Sequence, residues 1–380
     1  MKIGIITLHR VRNYGSALQA YALQEYIEKE HLGEAELIDY IYPNQNHKTK
    51  RKFKAWLRNL YCVKIRDEYF RKGWLKEIEF KKFYRNFFHL SSQRYETVDD
   101  IMSNPPDYDL YMTGSDQLWN PNTLKNDPVM YCEFAPSDKR RVSFGASFTI
   151  KELPKRFVPS VRERLNKYSH IGVREHSSLE ILRSLELNPN INYINTCDPT
   201  LLLDAKDYDK LSSQSKVIIE GDYVLVYTLK YAFKPEPALS SVINQVRKQL
   251  GMKLVIIDSH KVKLQNGDKI ISGIGPCEYC WLFAHAKYVV ASSFHGTMFA
   301  IINRLPFTII GPYEGHEDCR TADVLKLLGL GDNYIPSNRA DKKIDCNNPY
   351  TPEVEKKIHN FINDSTIFLE DSIKGKSTNE

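Results

Sequence analysis

The sequence predicts an α/β protein built from two doubly wound, Rossmann-like halves that face a cleft. Three observations predict it. Apolar runs of strand length alternate with helical patterns along most of the chain. At 380 residues the chain is too long for one typical core. A polar, Ser/Asp/Lys-rich stretch from about Asp204 to Gly221 separates two such series and reads as a linker. The expected organisation is a first domain over residues 1–205, carrying a basic helical insert at about 48–90, then a second over 220–350 and a carboxyl-terminal helix with a polar tail over 351–380.

In the first half, Lys2 to Thr7 is an apolar strand, and Asn13-Tyr14-Gly15-Ser16 is a turn. Ala17 to Lys29 has helical spacing, and Leu37-Ile38-Asp39-Tyr40 is the next strand. From about Lys48 to Phe88 basic residues accompany Phe53, Trp56, Leu57, Leu60 and Tyr69 at helical spacing, which predicts basic amphipathic helices. Further strands are Tyr108 to Thr113, Arg141 to Ser147 and Ile171 to Glu175. Ser177-Ser178 is a helix start ahead of Leu179-Glu180-Ile181-Leu182.

The second half repeats the alternation. Its strands are Tyr223 to Thr228, Lys253 to Asp258, Tyr288 to Ala291 and Pro306 to Ile310. Helices lie near Pro237 to Leu250 and Glu278 to Ala286, and Pro352 to Asp371 is amphipathic.

Composition narrows the class. Hydrophobic residues at 42% and charged residues at 26% are ordinary for a soluble globular protein. No apolar run reaches the roughly 20 residues needed to cross a bilayer. The amino terminus turns polar too soon for a signal peptide, so a cytoplasmic location is expected. Seven scattered cysteines fit reduced thiols better than a disulfide framework. A net charge of +6 suits an anionic ligand or membrane surface and does not point to nucleic acid. The lone Cys277-Glu278-Tyr279-Cys280 lacks the further ligands a zinc site needs, and no metal is expected. The three-glycine dinucleotide fingerprint is absent.

The densest chemistry lies at Ser292-Ser293-Phe294-His295-Gly296-Thr297, where an apolar strand ends and an apolar helix begins. Ligands of open α/β sheets bind outside the carboxyl ends of the strands. The first turn of a following helix offers N–H groups to an anion. His295 is a candidate general acid or anion ligand, and otherwise a structural histidine. Arg174 ends a strand beside Glu175; it reads either as a surface ion pair with Glu175 or Glu180 or as a phosphate or carboxylate clamp. Asp116, in Gly114-Ser115-Asp116, is either a base or hydroxyl ligand or a turn and helix-cap residue. The basic aromatic stretch reads first as a solvated helical face, second as a membrane-contact face and a distant third as a nucleic-acid surface.

Taken together, the motifs resemble the polysaccharide pyruvyl transferase family over nearly the whole chain. The matching elements are Asn13-Tyr14-Gly15 with Leu18-Gln19-Ala20; Gly114 to Asn120; Ser143 to Ser147; Val173-Arg174-Glu175; Asp198-Pro199-Thr200; and Ser293 to Thr297. Gly275-Pro276 with Glu278, and Arg320, add to it. The resemblance implies a fold like that of B-type glycosyltransferases, phosphoenolpyruvate as donor, no cofactor beyond this co-substrate, and a glycan or lipid-linked sugar as acceptor. It implies a catalytic set of His295, Arg174 and Asp116. Ser293, Gly296, Thr297, Arg320 and Glu278 are expected on the donor, and Asn13, Tyr14, Gly15, Ser115, Gln117 and Ser147 on the acceptor. A lipid-linked acceptor would give residues 48–88 a purpose in peripheral contact with the inner face of the membrane. The alternatives are a nucleotide-sugar glycosyltransferase of similar fold and a non-catalytic glycan-assembly protein.

Overall fold

The computed structural model describes residues 1–42, 68–229, 233–258, 262–316 and 319–376. The chain divides into two compact units, Met1–Leu202 with Asn363–Glu380, and Leu203–Ile362. The first holds strands β1 (Lys2–Ile6), β2 (Glu34–Tyr40), β3 (Leu90–Tyr95), β4 (Leu110–Thr113), β5 (Arg140–Ala146), β6 (His170–Val173) and β7 (Asn192–Asn195). Its helices are α1 (Tyr14–Lys29), α2 (Glu68–Phe87), α3 (Val98–Ser103), α4 (Pro121–Leu124), α5 (Val158–Leu165) and α6 (His176–Ser184). The second holds α7 (Asp209–Ser212), β8 (Tyr223–Tyr227), α8 (Ala238–Leu250), β9 (Lys253–Ile257), β10 (Lys269–Ile271), α9 (Pro276–Ala284), β11 (Tyr288–Ala291), α10 (Phe294–Ile302), β12 (Phe307–Gly311), α11 (Cys319–Leu327) and β13 (Tyr334–Pro336). Helix α12 (Pro352–Lys374) ends the described chain.

Both sheets are parallel and share one topology. The first runs β3-β2-β1-β4-β5-β6-β7 and the second β10-β9-β8-β11-β12-β13. In each, the chain winds outward from a central strand to one edge, then returns to wind the other way. The reversal falls between β1 and β4 in the first unit and between β8 and β11 in the second. Such a switch point is where neighbouring loops part and leave a crevice at the carboxyl ends of the strands.

The strands read as apolar runs because helices cover both faces of a parallel sheet. In β8 and β11 every residue is buried. Alternate side chains of the second sheet, Val224 and Val226, Leu254 and Ile256, Tyr288 and Val290, share a cluster with Leu239, Val242, Ile243 and Val246 of α8. Those four positions recur at helical spacing, so α8 buries one stripe.

The structure departs from the sequence reading in several places. The stretch from Asp204 to Gly221 is not a linker: it belongs to the second unit, where α7 packs on α9. Tyr208 and Leu211, three residues apart in a polar segment, are buried, and the Tyr208 ring meets Phe299 edge-on at 5.0 Å. The carboxyl-terminal helix is shared, since residues through Ile362 group with the second unit and those from Asn363 with the first. Ser365 anchors the later part by accepting from Cys197 N–H at 2.8 Å. Helix α6 starts at His176, ahead of the expected serines. Strand β3 is polar, so no apolar run announces it.

The expected basic insert falls partly outside the described residues, which omit 43–67. Its described part is α2, whose later aromatics are core while Trp74 is exposed. Phe80, Phe83 and Tyr84 are buried, and rings of α2 pack on Tyr14 and Tyr21 of α1 at 5.4 and 6.1 Å. Those aromatics are therefore not a membrane face.

Candidate active site

At the switch point of the first unit, two loops are tied together. The Thr7 hydroxyl donates to the Ser115 carbonyl at 2.9 Å, and Gln19 of α1 donates to that hydroxyl at 2.8 Å. Asn13 caps α1, its side chain accepting from Gly15 N–H at 2.9 Å and Ser16 N–H at 3.3 Å. Asp116 follows β4 with φ +86°, a left-handed conformation costing about 1–3 kcal/mol for a residue other than glycine. Its carboxylate accepts from Gln117 N–H at 2.8 Å and from the Ser16 hydroxyl.

Arg174, just past β6, is not at the surface. Its side chain is 0% exposed, and Nη1 donates to Asp198 at 2.9 Å and to Ser115 at 3.1 Å. Asp116 lies 3.6 Å from Nη2, and Glu175 lies 3.9 Å from Nε. Glu180, the other partner considered, pairs with Arg183 and His176 instead. One buried guanidinium thus stands among three carboxylates, held as a rigid support rather than a mobile surface clamp.

Asp198 and Glu175 each accept from donors of their own besides the arginine, Glu175 through Oε1 alone. Asp198 accepts from Ser115 at 2.9 Å and from the Thr200 hydroxyl at 2.7 Å and N–H at 3.1 Å. Glu175 accepts from Ser147 at 2.8 Å, Thr149 N–H at 3.1 Å and the Ser178 hydroxyl. Gly145 has φ +68°, and a Cβ there would come within 3.2 Å of Ser115 and 3.1 Å of Pro199. This is why the Ser143–Ser147 segment carries a glycine. Asp198, Ser16, Thr7 and Gln19 were not among the expected site residues. Asp198 and Gln19 stood inside recognised motifs, but nothing local showed what they would touch.

In the second unit, Ser293 caps α10, accepting from Gly296 N–H at 2.9 Å. His295 occupies the first turn of that helix, half-buried. Ser292 accepts from Leu229 N–H at 2.9 Å, linking the loops after β8 and β11 at the switch point. Arg320 stands 5.8 Å from the centre of the Phe294 ring, which brings a cation to this corner.

Four expected contacts are otherwise employed. Thr297 is fully buried and its hydroxyl donates to the Ser293 carbonyl at 3.1 Å. A Cβ at Gly296 would meet Ser293 Oγ at 2.7 Å and Ala291 Cβ at 3.1 Å, so this glycine makes room for the cap. Glu278 is buried and accepts from Gly275 N–H at 2.9 Å and Lys216 N–H at 3.4 Å, closing the start of α9. Tyr14 is buried against Phe80, with Lys76 4.1 Å above its ring. The structure therefore assembles Asn13, Gly15, Ser115, Asp116, Gln117, Arg174 and, through Glu175, Ser147 in one unit. Ser293, His295, Gly296, Thr297 and Arg320 assemble in the other.

Cys132, Cys197, Cys280 and Cys346 are free thiols, and burial pushes the Cys280 thiol well above its ordinary range, as it pushes Cys197 up to about 12. A buried thiol is a poor nucleophile, so Cys280 gains no catalytic character from its surroundings. Among the described residues no group of three or more His, Cys, Asp or Glu side chains is placed to hold a metal. None of the described helices is long and apolar enough to cross a membrane.

A family model described as polysaccharide pyruvyl transferase matches residues 13–313. The chain belongs to that family. Membership makes it a transferase of polysaccharide biosynthesis and implies a glycan acceptor. No curated protein sequence matches the chain. Among solved structures it is similar to the UDP-GlcNAc 2-epimerase from Methanocaldococcus jannaschii, with a TM-score of 0.51 at 13% identity over 97% of this chain and 100% of that one. It is also similar to the UDP-GlcNAc 2-epimerase from Neisseria meningitidis bound to UDP-GlcNAc, with a TM-score of 0.51 at 11% identity over 98% and 100%. At such identities the likeness is one of fold: a two-domain, Rossmann-like arrangement.

Proposed function

We propose that the protein transfers the pyruvyl group of phosphoenolpyruvate to a sugar of a polysaccharide or lipid-linked glycan precursor, forming a pyruvate ketal and releasing phosphate. The observation that carries this reading is Ser293-Phe294-His295-Gly296-Thr297 at the carboxyl end of β11, on a switch point, in a chain of the pyruvyl transferase family. The donor bears a phosphate and a carboxylate. The first turn of α10, His295 and the nearby Arg320 suit two anionic groups.

In this scheme His295 delivers a proton to the methylene carbon, or holds the phosphate as it leaves. The central carbon becomes oxocarbenium-like, and a sugar hydroxyl attacks it while Asp116 takes the hydroxyl proton. The carbon–oxygen bond to phosphate breaks. A second hydroxyl then closes the ketal. Of the two hydroxyl protons, one replaces that spent on the methyl group and one leaves with phosphate. The scheme uses no metal or cofactor, so turnover surviving excess chelator supports it and its loss counts against it.

A lipid-linked acceptor would bring the enzyme to the inner face of the membrane, with the basic residues of 48–67 as the candidates for contact. Sedimentation with anionic but not neutral vesicles tests that. The main test is phosphate release from phosphoenolpyruvate with a panel of glycosides. Release should depend on acceptor, add a pyruvate mass to the sugar, and fall about 100- to 10,000-fold in His295→Ala. Near-normal turnover in that variant refutes the assignment. The shared fold of the UDP-GlcNAc 2-epimerases favours one second reading, a nucleotide-sugar transferase. Thermal protection by a nucleotide diphosphate but not by phosphoenolpyruvate would select it.

A further inference from the structure

We infer that Ser16 and Asp198 are positioning residues for Asp116, Ser16 by direct hydrogen bond and Asp198 by locking Arg174 against it. The inference rests on the reading of Asp116 as the group that takes the acceptor's proton. Three segments converge on this carboxylate: the first turn of α1 through Ser16, the loop after β4 through Gln117 N–H, and the end of β6 through Arg174. Within the cluster, Arg174, Glu175 and Asp198 side chains are 0% exposed, whereas that of Asp116 is 11% exposed. Asp116 is the one end of the buried charge network that opens to solvent.

Its backbone is strained as well. A left-handed φ at a non-glycine residue persists only where the surroundings over-determine it, and such positions gather at functional sites. A network serving stability alone would gain from glycine or asparagine there. The support is layered. Asn13 orients the first turn of α1, from which Ser16 reaches Asp116. Thr200 and Ser115 orient Asp198, which binds Nη1 of Arg174 and leaves Nη2 facing Asp116.

Ser16→Ala tests this directly in phosphate-release assays with a panel of synthetic glycosides. A hydrogen bond to a charged group supports a fall in kcat of about 10- to 100-fold. KM for phosphoenolpyruvate should stay within about twofold, and Ser16→Thr should restore most of kcat. In an Asp116→Asn background, Ser16→Ala should cost nothing more, because the two act as one unit. Normal turnover in Ser16→Ala overturns the inference, as does an undiminished loss in the Asp116→Asn background. Near-normal turnover in Asp116→Asn alone instead overturns the base assignment beneath it, and no release by the wild type with any glycoside overturns both. Asp198→Asn should lower kcat with the same unchanged KM; the Ser16 series decides the matter if that variant fails to fold.

Discussion

Asp198→Asn should destabilise the first unit by about 3 kcal/mol. In the wild type one carboxylate oxygen of Asp198 accepts from Arg174 Nη1 and Ser115, both at 2.9 Å, and the other accepts twice from Thr200. Asparagine can keep its oxygen on Thr200 only by turning its NH2 group toward two donors, or the reverse. Breaking one side of a buried ion pair costs roughly 3–5 kcal/mol. The lower end applies because Asp116 at 3.6 Å and Glu175 at 3.9 Å still neutralise Arg174. For a domain of about 200 residues, each kcal/mol moves Tm by about 2–4 °C, so the drop should be roughly 6–12 °C. Thermal and urea unfolding measure it, with Ser115→Ala, which loses one hydrogen bond to Asp198 and one from Arg174, as the comparison. A loss in Asp198→Asn below about 0.5 kcal/mol would refute the reading of Asp198 as the lock on Arg174.

Three more expectations follow from other parts of the molecule. Ser293→Ala removes the cap of α10 and should cost about 0.5–2 kcal/mol, while Ser293→Thr should cost less; urea midpoints distinguish them. Trp119, buried and stacked on Tyr131 at 5.6 Å, should cost about 3–5 kcal/mol when changed to alanine, read from thermal melts. Burial raises the Asp39 carboxyl, but hydrogen bonds from His9 and Arg10 and their charge outweigh this and hold it far below its ordinary 3.8. Its contribution is therefore fully present above that value and is lost as pH falls below it, so acid unfolding of Asp39→Asn should begin from a lower stability and be less steep below about pH 4.

Strand and helix patterns carried most of the fold, because a parallel sheet covered on both faces forces its strands into apolar runs. Where that force is absent the pattern fails. Leu90 to Tyr95 sits at a sheet edge and alternates too little to stand out. The stretch from Asp204 to Gly221 looks like a linker because few apolar residues, among them Tyr208, Leu211 and Ile219, mark its buried side. Phe80 and Phe83 of α2 look like part of a surface-seeking face in one dimension, and only α1 lying against them makes them core.

The sequence by itself determined the alternation of strands and helices, the division into two sheets, the family, and the junction where Ser293 and His295 begin a helix. These rest on local pattern, which neighbouring residues suffice to express. Only the tertiary structure decided the surroundings of Arg174. Asp116, Asp198 and Ser16 stand 58, 24 and 158 positions away in the chain, and packing brings them to one carboxylate cluster. Burial then turns what reads as a surface ion pair into a support, since charges removed from water must be paired where the fold holds them.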